Sequence, residues 1–132
     1  MPAPAVATYS AAALVAAHTS FLNLIDADPT LAGMIRIRDA ADVLLAQIPL
    51  TDPAGTVNGA TGQLTLTPAA RDESADASGT AAYGELCDGT GLVHLVLPAQ
   101  AGTVAVSGNL VMNTVTVVAG GPVEVISAVI GG

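Results

Sequence analysis

The sequence predicts a mainly β chain: an antiparallel β-sandwich, jelly-roll-like, with one short N-terminal α-helix. Three observations carry this. Apolar residues recur at helical spacing once, before Asp26. From Met34 onward apolar and polar residues alternate in short runs. Gly, Pro and Asp-Gly steps separate those runs at regular intervals, as in all-β domains. The chain divides accordingly into an arm and helix over 1–33 and a β domain over 34–132.

Residues 1–7 are rich in Pro and Ala, and Pro2 and Pro4 favour an extended arm. The helix is expected over 8–25, with Thr8 or Ser10 as N-cap. Leu14, His18, Phe21 and Ile25 fall on one stripe, flanked by Val15 and Leu22. Pro29 ends the helix, because it disfavours the helical state at Asp28. The stripe is free to pack on the sandwich or on a neighbouring subunit, and Leu14 and Phe21 are its candidate partner contacts.

The first strand is expected at 34–38, with Ile35 and Ile37 inward and Arg36 and Arg38 outward. A second run, 43–50, is closed by a turn at 51–55. Residues 63–67 alternate again and end at Pro68. The polar stretch 69–79 reads as an exposed loop. Runs at 80–86 and 92–97 flank Asp88-Gly89-Thr90-Gly91, the strongest hairpin signal in the chain. Residues 98–102 are expected to turn. Further strands follow at 104–106, 110–118 and 123–130, the last two joined as a hairpin by 119–122. No βαβ pattern is visible, so parallel pairing is not expected.

Composition limits the function. The chain has 132 residues, the size of one domain, with 52% hydrophobic and only 11% charged residues. That excludes disorder. One Phe, two Tyr and no Trp leave a thin core of Val, Leu, Ile and Ala. There is no lysine, and the net charge is −8, so phosphate backbones and anionic membranes repel the surface. Neither a nucleic acid nor a membrane is an expected partner. Residues 1–17 are apolar without a basic n-region, and the run stops at His18, too short to span a bilayer. The chain therefore reads as soluble and made in a cytoplasm.

The residues point away from catalysis and cofactors. No G-x-S-x-G turn or phosphate-binding Gly motif occurs. His18 and His94 share no metal-like spacing, and His94 is expected to face solvent or an interface. Cys87, the one cysteine, reads as a half-buried small hydrophobe. Asp72, Glu73 and Asp76 form an acidic cluster without aromatic platforms for a sugar. Neither it nor Asp26 with Asp28 matches a calcium loop. Arg36 and Arg38 are the most telling pair: two cations on one strand face of an acidic chain, suited to carboxylates in the same sheet or on a partner.

The order of motifs resembles the small structural proteins of tailed bacteriophages. The motifs are an Ala-rich helix, IRIRD (35–39), LLAQIPL (44–50), GQLTL (62–66), SGTAAY (78–83), DGTG (88–91) and NTVTVVAGGPV (113–123). The resemblance is to capsid decoration, or cement, proteins of β-sandwich fold, and it spans most of the chain beyond Met34. It implies a non-enzymatic protein made in the host bacterial cytoplasm and bound to the outside of the head. Its partners would be the major capsid protein and copies of itself, as homodimer or homotrimer. The arm or an edge strand would add to a neighbour's sheet. The alternative is a tail or baseplate protein whose loops bind a host receptor.

Overall fold

The computed structural model describes residues 9–131, so the arm expected over 1–7 and the alternative N-cap Thr8 lie outside the described residues. One helix and nine strands follow: α1 (Ala11–Ile25), β1 (Met34–Arg38), β2 (Leu44–Val57), β3 (Leu64–Pro68), β4 (Gly79–Thr80), β5 (Tyr83–Cys87), β6 (Val93–Ala101), β7 (Leu110–Met112), β8 (Thr116–Val117) and β9 (Val125–Ile130). The protein is mainly β with one helix.

The strands do not split into the two sheets of the expected sandwich. They pair in the order β1-β2-β3-β9-β7-β6-β5, and β5 returns to β1, giving a closed barrel; β4 and β8 form a separate two-stranded sheet. Closure gives every barrel strand a neighbour on both sides, and so removes the open edges a sandwich keeps. A barrel this small is filled by aliphatic side chains, which explains why a core almost without aromatics suffices. Ile35, Ile37, Ile48, Leu64, Leu86 and Leu110 are all at most 2% exposed. Gly84 makes room for one of them: a Cβ there would lie 2.7 Å from Leu110 Cδ2.

The β1–β5–β6 part follows the sequence reading. β1 spans the expected residues with Ile35 and Ile37 inward, and β5 and β6 form the hairpin around residues 88–91. Elsewhere long-range pairing overrides local turn signals. Residues 51–55 do not end β2. They form a bulge, since the register passes from Leu50↔Pro68 to Gly55↔Leu66. Pro98 does not turn the chain either. It needs no N–H there, because the next hydrogen bond is donated by Ala99 N to Ala82 O at 3.0 Å. β6 thus runs to Ala101 and pairs with β7 in parallel, Ala99 opposite Leu110, so the barrel is not wholly antiparallel. Residues 104–106 are loop rather than strand. The expected 110–118 strand breaks where Asn113 Oδ1 accepts from Thr114 N at 2.9 Å. The turn at 119–122 forms, but β8 pairs with β4 and β9 with β3 and β7, so it joins no hairpin.

The 69–79 stretch, expected as a free loop, is stitched into the wall on both sides. Ala69 N donates to Pro49 O, Asp76 N to Leu45 O, and Ala75 N to Gly121 O, at 2.8–2.9 Å. Asp72 and Val123 exchange a two-way backbone bridge. Satisfying these backbone groups draws Ala75 to 5% exposure.

α1 begins at Ser10, whose hydroxyl accepts from Ala13 N at 3.1 Å. Its stripe packs on the barrel: Ile25 is fully buried in the common core, and Phe21 and Leu22 lie against it. The Asp26 carboxylate just beyond the helix accepts from Ala54 N at 3.0 and 3.1 Å. No helix among the described residues is long and apolar enough to cross a membrane.

Candidate functional site

Because Ile35 and Ile37 point into the barrel, Arg36 and Arg38 stand on its outer face. The ladders set them in cross-strand rows. Gln47, Arg36, Glu85 and Val96 form one row over β2, β1, β5 and β6; Leu44, Arg38, Tyr83 and Pro98 form the next. The second row ends beside the β1–β2 turn, which is built by Asp39: its Oδ1 accepts from Ala41 N and Val43 N, both at 2.9 Å. That turn holds Asp42 at φ 66°, a conformation Asp tolerates better than most residues.

A polar network ties these rows together. Arg38 Nε donates to Glu85 Oε1, and Arg38 donates from its terminal NH₂ to Asp42 O at 2.9 Å. Tyr83 donates its hydroxyl to Asp42 Oδ1 at 2.5 Å. The hydrogen bond to Asp42 pushes the Tyr83 phenol up to about 12, and the bond to Glu85 raises Arg38 further above its usual value.

Arg36 is used differently. Its guanidinium reaches along β1 to Gly91 O at 3.4 Å, at the tip of the β5–β6 hairpin, and its buried Nε has no hydrogen-bond partner. Its charge acts on Cys87, which is fully buried rather than half-buried. Burial pushes the Cys87 thiol up, against a smaller lowering by the Arg36 charge. The tip itself is organised by Asp88. Its Oδ1 accepts from the Thr90 hydroxyl at 2.6 Å and from Thr90 N and Leu92 N, while His94 Nε2 sits 3.0 Å from Oδ2. The Thr90 hydroxyl first, and His94 second, hold the Asp88 carboxyl well below the usual carboxylate range. His94 is therefore tied to an acid. The order of the three groups does not activate a nucleophile, because Asp88 stands between the hydroxyl and the imidazole.

The rim of this face is apolar. Val96 is 53% exposed and Leu92 61%, with Pro49 and Pro98 also exposed.

Of the four partner-contact candidates, the structure brings Arg36 and Arg38 together here and separates them from the other two. Phe21 packs against the barrel core, and Leu14 lies against Gly62 in the 58–63 turn. The helical stripe is thus occupied by the chain's own barrel. Glu85, Tyr83 and Asp42 were missed in the sequence. The alternation of Tyr83 and Glu85 in β5 was a usable signal, whereas Asp42 joins them only through the β1–β2 turn.

The acidic cluster does not converge. Asp72 accepts from Gln47 N and Ser74 N, both at 3.0 Å, and Glu73 pairs with Arg71 at 2.9 Å. Asp28 accepts from Thr30 and Leu31. Among the described residues no three metal-ligating side chains gather. A hollow of about 280 Å³ is lined by Pro68, Ala70, Arg71, Glu124 and Val125.

A scan against protein-family models, a search of curated proteins and a search of solved structures each found no match. The chemistry of the face therefore stands on its own geometry. Fixed donors and acceptors lie flat between exposed apolar side chains, an arrangement suited to docking against another protein surface.

Proposed function

We propose that this chain is a structural virion protein that decorates the outside of a phage head, stabilises contacts between major capsid subunits, and catalyses nothing. The observation that supports it best is the outer face of β2, β1, β5 and β6. There the Arg38–Glu85–Tyr83–Asp42 network is locked before any partner arrives, and Val96, Leu92, Pro49 and Pro98 rim it. Pre-ordered polar groups lose little entropy on docking, and the apolar rim gains from burial. The motif resemblance supplies the particle, and many copies on a lattice make weak individual contacts effective. Self-pairing by strand addition is disfavoured for the seven barrel strands, which have neighbours on both sides. The docking is face to face.

Antibody against the chain, applied to particles of the phage that encodes it, tests the location. Label spread over the head supports the proposal, label at the tail supports the tail or baseplate alternative, and unlabelled particles overturn both. Heads stripped of the chain should burst sooner under heat and osmotic shock; equal survival overturns the clamping role.

A further inference from the structure

We propose that Asn58 and Gly59, in the turn between β2 and β3, form a self-modification site: the chain cyclises there to a succinimide with loss of ammonia, and water reopens the ring to aspartate or isoaspartate. The inference is independent of the assembly reading. Hydroxide takes the proton of Gly59 N, and that nitrogen attacks Asn58 Cγ. The N–Cγ bond forms, the Cγ–Nδ2 bond breaks, and the side-chain nitrogen leaves as ammonia after taking a proton back from water. Water then adds to one of the two imide carbonyls. Opening at Cγ gives aspartate, and opening at the former backbone carbonyl gives isoaspartate. Nothing is oxidised or reduced.

The geometry of the turn favours each part of this step. Gly59 is exposed, and a Cβ there would meet nothing within 4 Å, so no side chain screens the attacking nitrogen. Gly59 N–H donates to no acceptor among the described residues, which leaves its proton open to solvent. Asn58 Oδ1 accepts from Ala60 N at 2.8 Å and from Thr61 N at 3.2 Å. Attack on Cγ places the developing negative charge on that same oxygen, so the two N–H groups act as an oxyanion hole. This Asx turn also holds the side chain over the backbone that follows it, and the reacting atoms are brought together in advance.

Other steps of similar sequence are closed. Asp88-Gly89 carries an ionised carboxylate, which resists attack, and a Cβ on Gly89 would lie 2.7 Å from Leu31 Cβ. Asn23 lies within α1, Asn109 precedes fully buried Leu110, and Asn113 precedes β-branched Thr114, which crowds the nitrogen.

The modification reaches α1. Asn58 N donates to Gln63 O at 2.8 Å and Asn58 O accepts from Gly62 N at 2.7 Å, closing the turn. His18 Nδ1 of α1 lies 2.6 Å from Gly62 O, and Leu14 lies against Gly62. Isoaspartate routes the main chain through Cγ, one methylene longer, and turns the carbonyl that Gly62 N needs into a free carboxylate. It also adds a negative charge to a chain already at −8. The conversion thereby loosens the seat of α1.

Incubation of the purified full-length chain at mildly alkaline pH, followed by peptide mass mapping, tests this. The peptide holding Asn58 should gain about 1 Da and contain isoaspartate, which direct hydrolysis of the amide does not produce. Asp88, Asn23, Asn109 and Asn113 should stay unchanged over the same period. Gly59→Ala adds a methyl group beside the attacking nitrogen in open space, and should slow the conversion at least about tenfold. Gly59→Ser is the second variant should Gly59→Ala fail to fold by circular dichroism. The aged wild type should melt earlier than aged Gly59→Ala. Asn58 left intact for as long as the urea-unfolded chain takes to convert overturns the proposal. So does a mass gain without isoaspartate, conversion of the other sites as fast as Asn58, or conversion of Gly59→Ala at the wild-type rate. Equal melting of the two aged proteins overturns the loosening of α1.

Discussion

Glu85 stands directly opposite Arg36 in the β1–β5 ladder, yet its carboxylate is held by Arg38, the next outward residue along β1. One acid thus lies between two cations, and Arg36 turns away to the hairpin tip. Removing either end of the pair has unequal consequences. Arg38→Ala leaves Glu85 with a second guanidinium to turn to. Glu85→Ala leaves the Arg38 guanidinium without its carboxylate hydrogen bond and with the bond to Asp42 O alone. Glu85→Ala should cost about 1–2 kcal/mol and Arg38→Ala about half of that, the pair being partly solvent-screened. Urea unfolding of both variants checks this; equal costs, or the reverse order, would count against the network.

Arg36 should act as a cover for Cys87. The thiol is fully buried, and its shift records the neighbouring Arg36 charge. In the native wild type, labelling by a thiol reagent should wait for local opening. Arg36→Ala should speed it at least about tenfold by removing that wait. Unchanged labelling would show that strand packing alone hides the sulfur.

The two perturbed acids on this face predict opposite pH limbs. Tyr83 is raised in the folded chain, so its contribution is complete below the ordinary tyrosine value of about 10. It is lost as pH rises through the folded value of about 12. Absorbance of the phenolate should show this late titration, and Asp42→Asn should bring it earlier. Asp88 is lowered, so its contribution is complete above about 3.9 and fades as pH falls toward its depressed value. Asp88→Asn should flatten the acid limb of a stability–pH curve; a limb of unchanged slope would refute the assignment.

Gly62 and Gly59 sit in one turn and should respond differently. Gly62 has φ +78°, and a Cβ there would collide with Leu14. Gly62→Ala should cost about 2–4 kcal/mol, from left-handed strain and overpacking against the helix. Gly59 has open space around it, and Gly59→Ala should change stability by less than about 0.5 kcal/mol. Thermal melts of both variants give the comparison.

Asp26→Ala should cost about 1–3 kcal/mol, because it orphans the N–H of fully buried Ala54. Asp26→Asn keeps an acceptor and should lose less. Equal losses in the two variants would show that the bond to Ala54 is not what stabilises this corner.

Local pattern made some elements legible. Helical spacing placed α1, alternation placed β1, and the Asp-Gly step placed the β5–β6 hairpin, each of them a contact between near neighbours in sequence. The same alternation turned Arg36 and Arg38 outward and so exposed half of the candidate face. Glu85 and Asp42 were hidden because which acid an arginine meets depends on strand register. Leu14 and Phe21 were read as one stripe, free to pack on the β domain or on a neighbouring subunit, and the barrel takes them.

By itself, then, the sequence determined a mainly β chain with one helix, its acidic surface and its aliphatic core. Tertiary structure alone decided that the strands close into a barrel and that β6 meets β7 in parallel. The reason is range. Propensity and periodicity act over a few residues, while closure is settled by backbone groups far apart in sequence that must find partners. That demand overrode the turn signals at 51–55 and at Pro98, and it drew the polar 69–79 stretch into the wall.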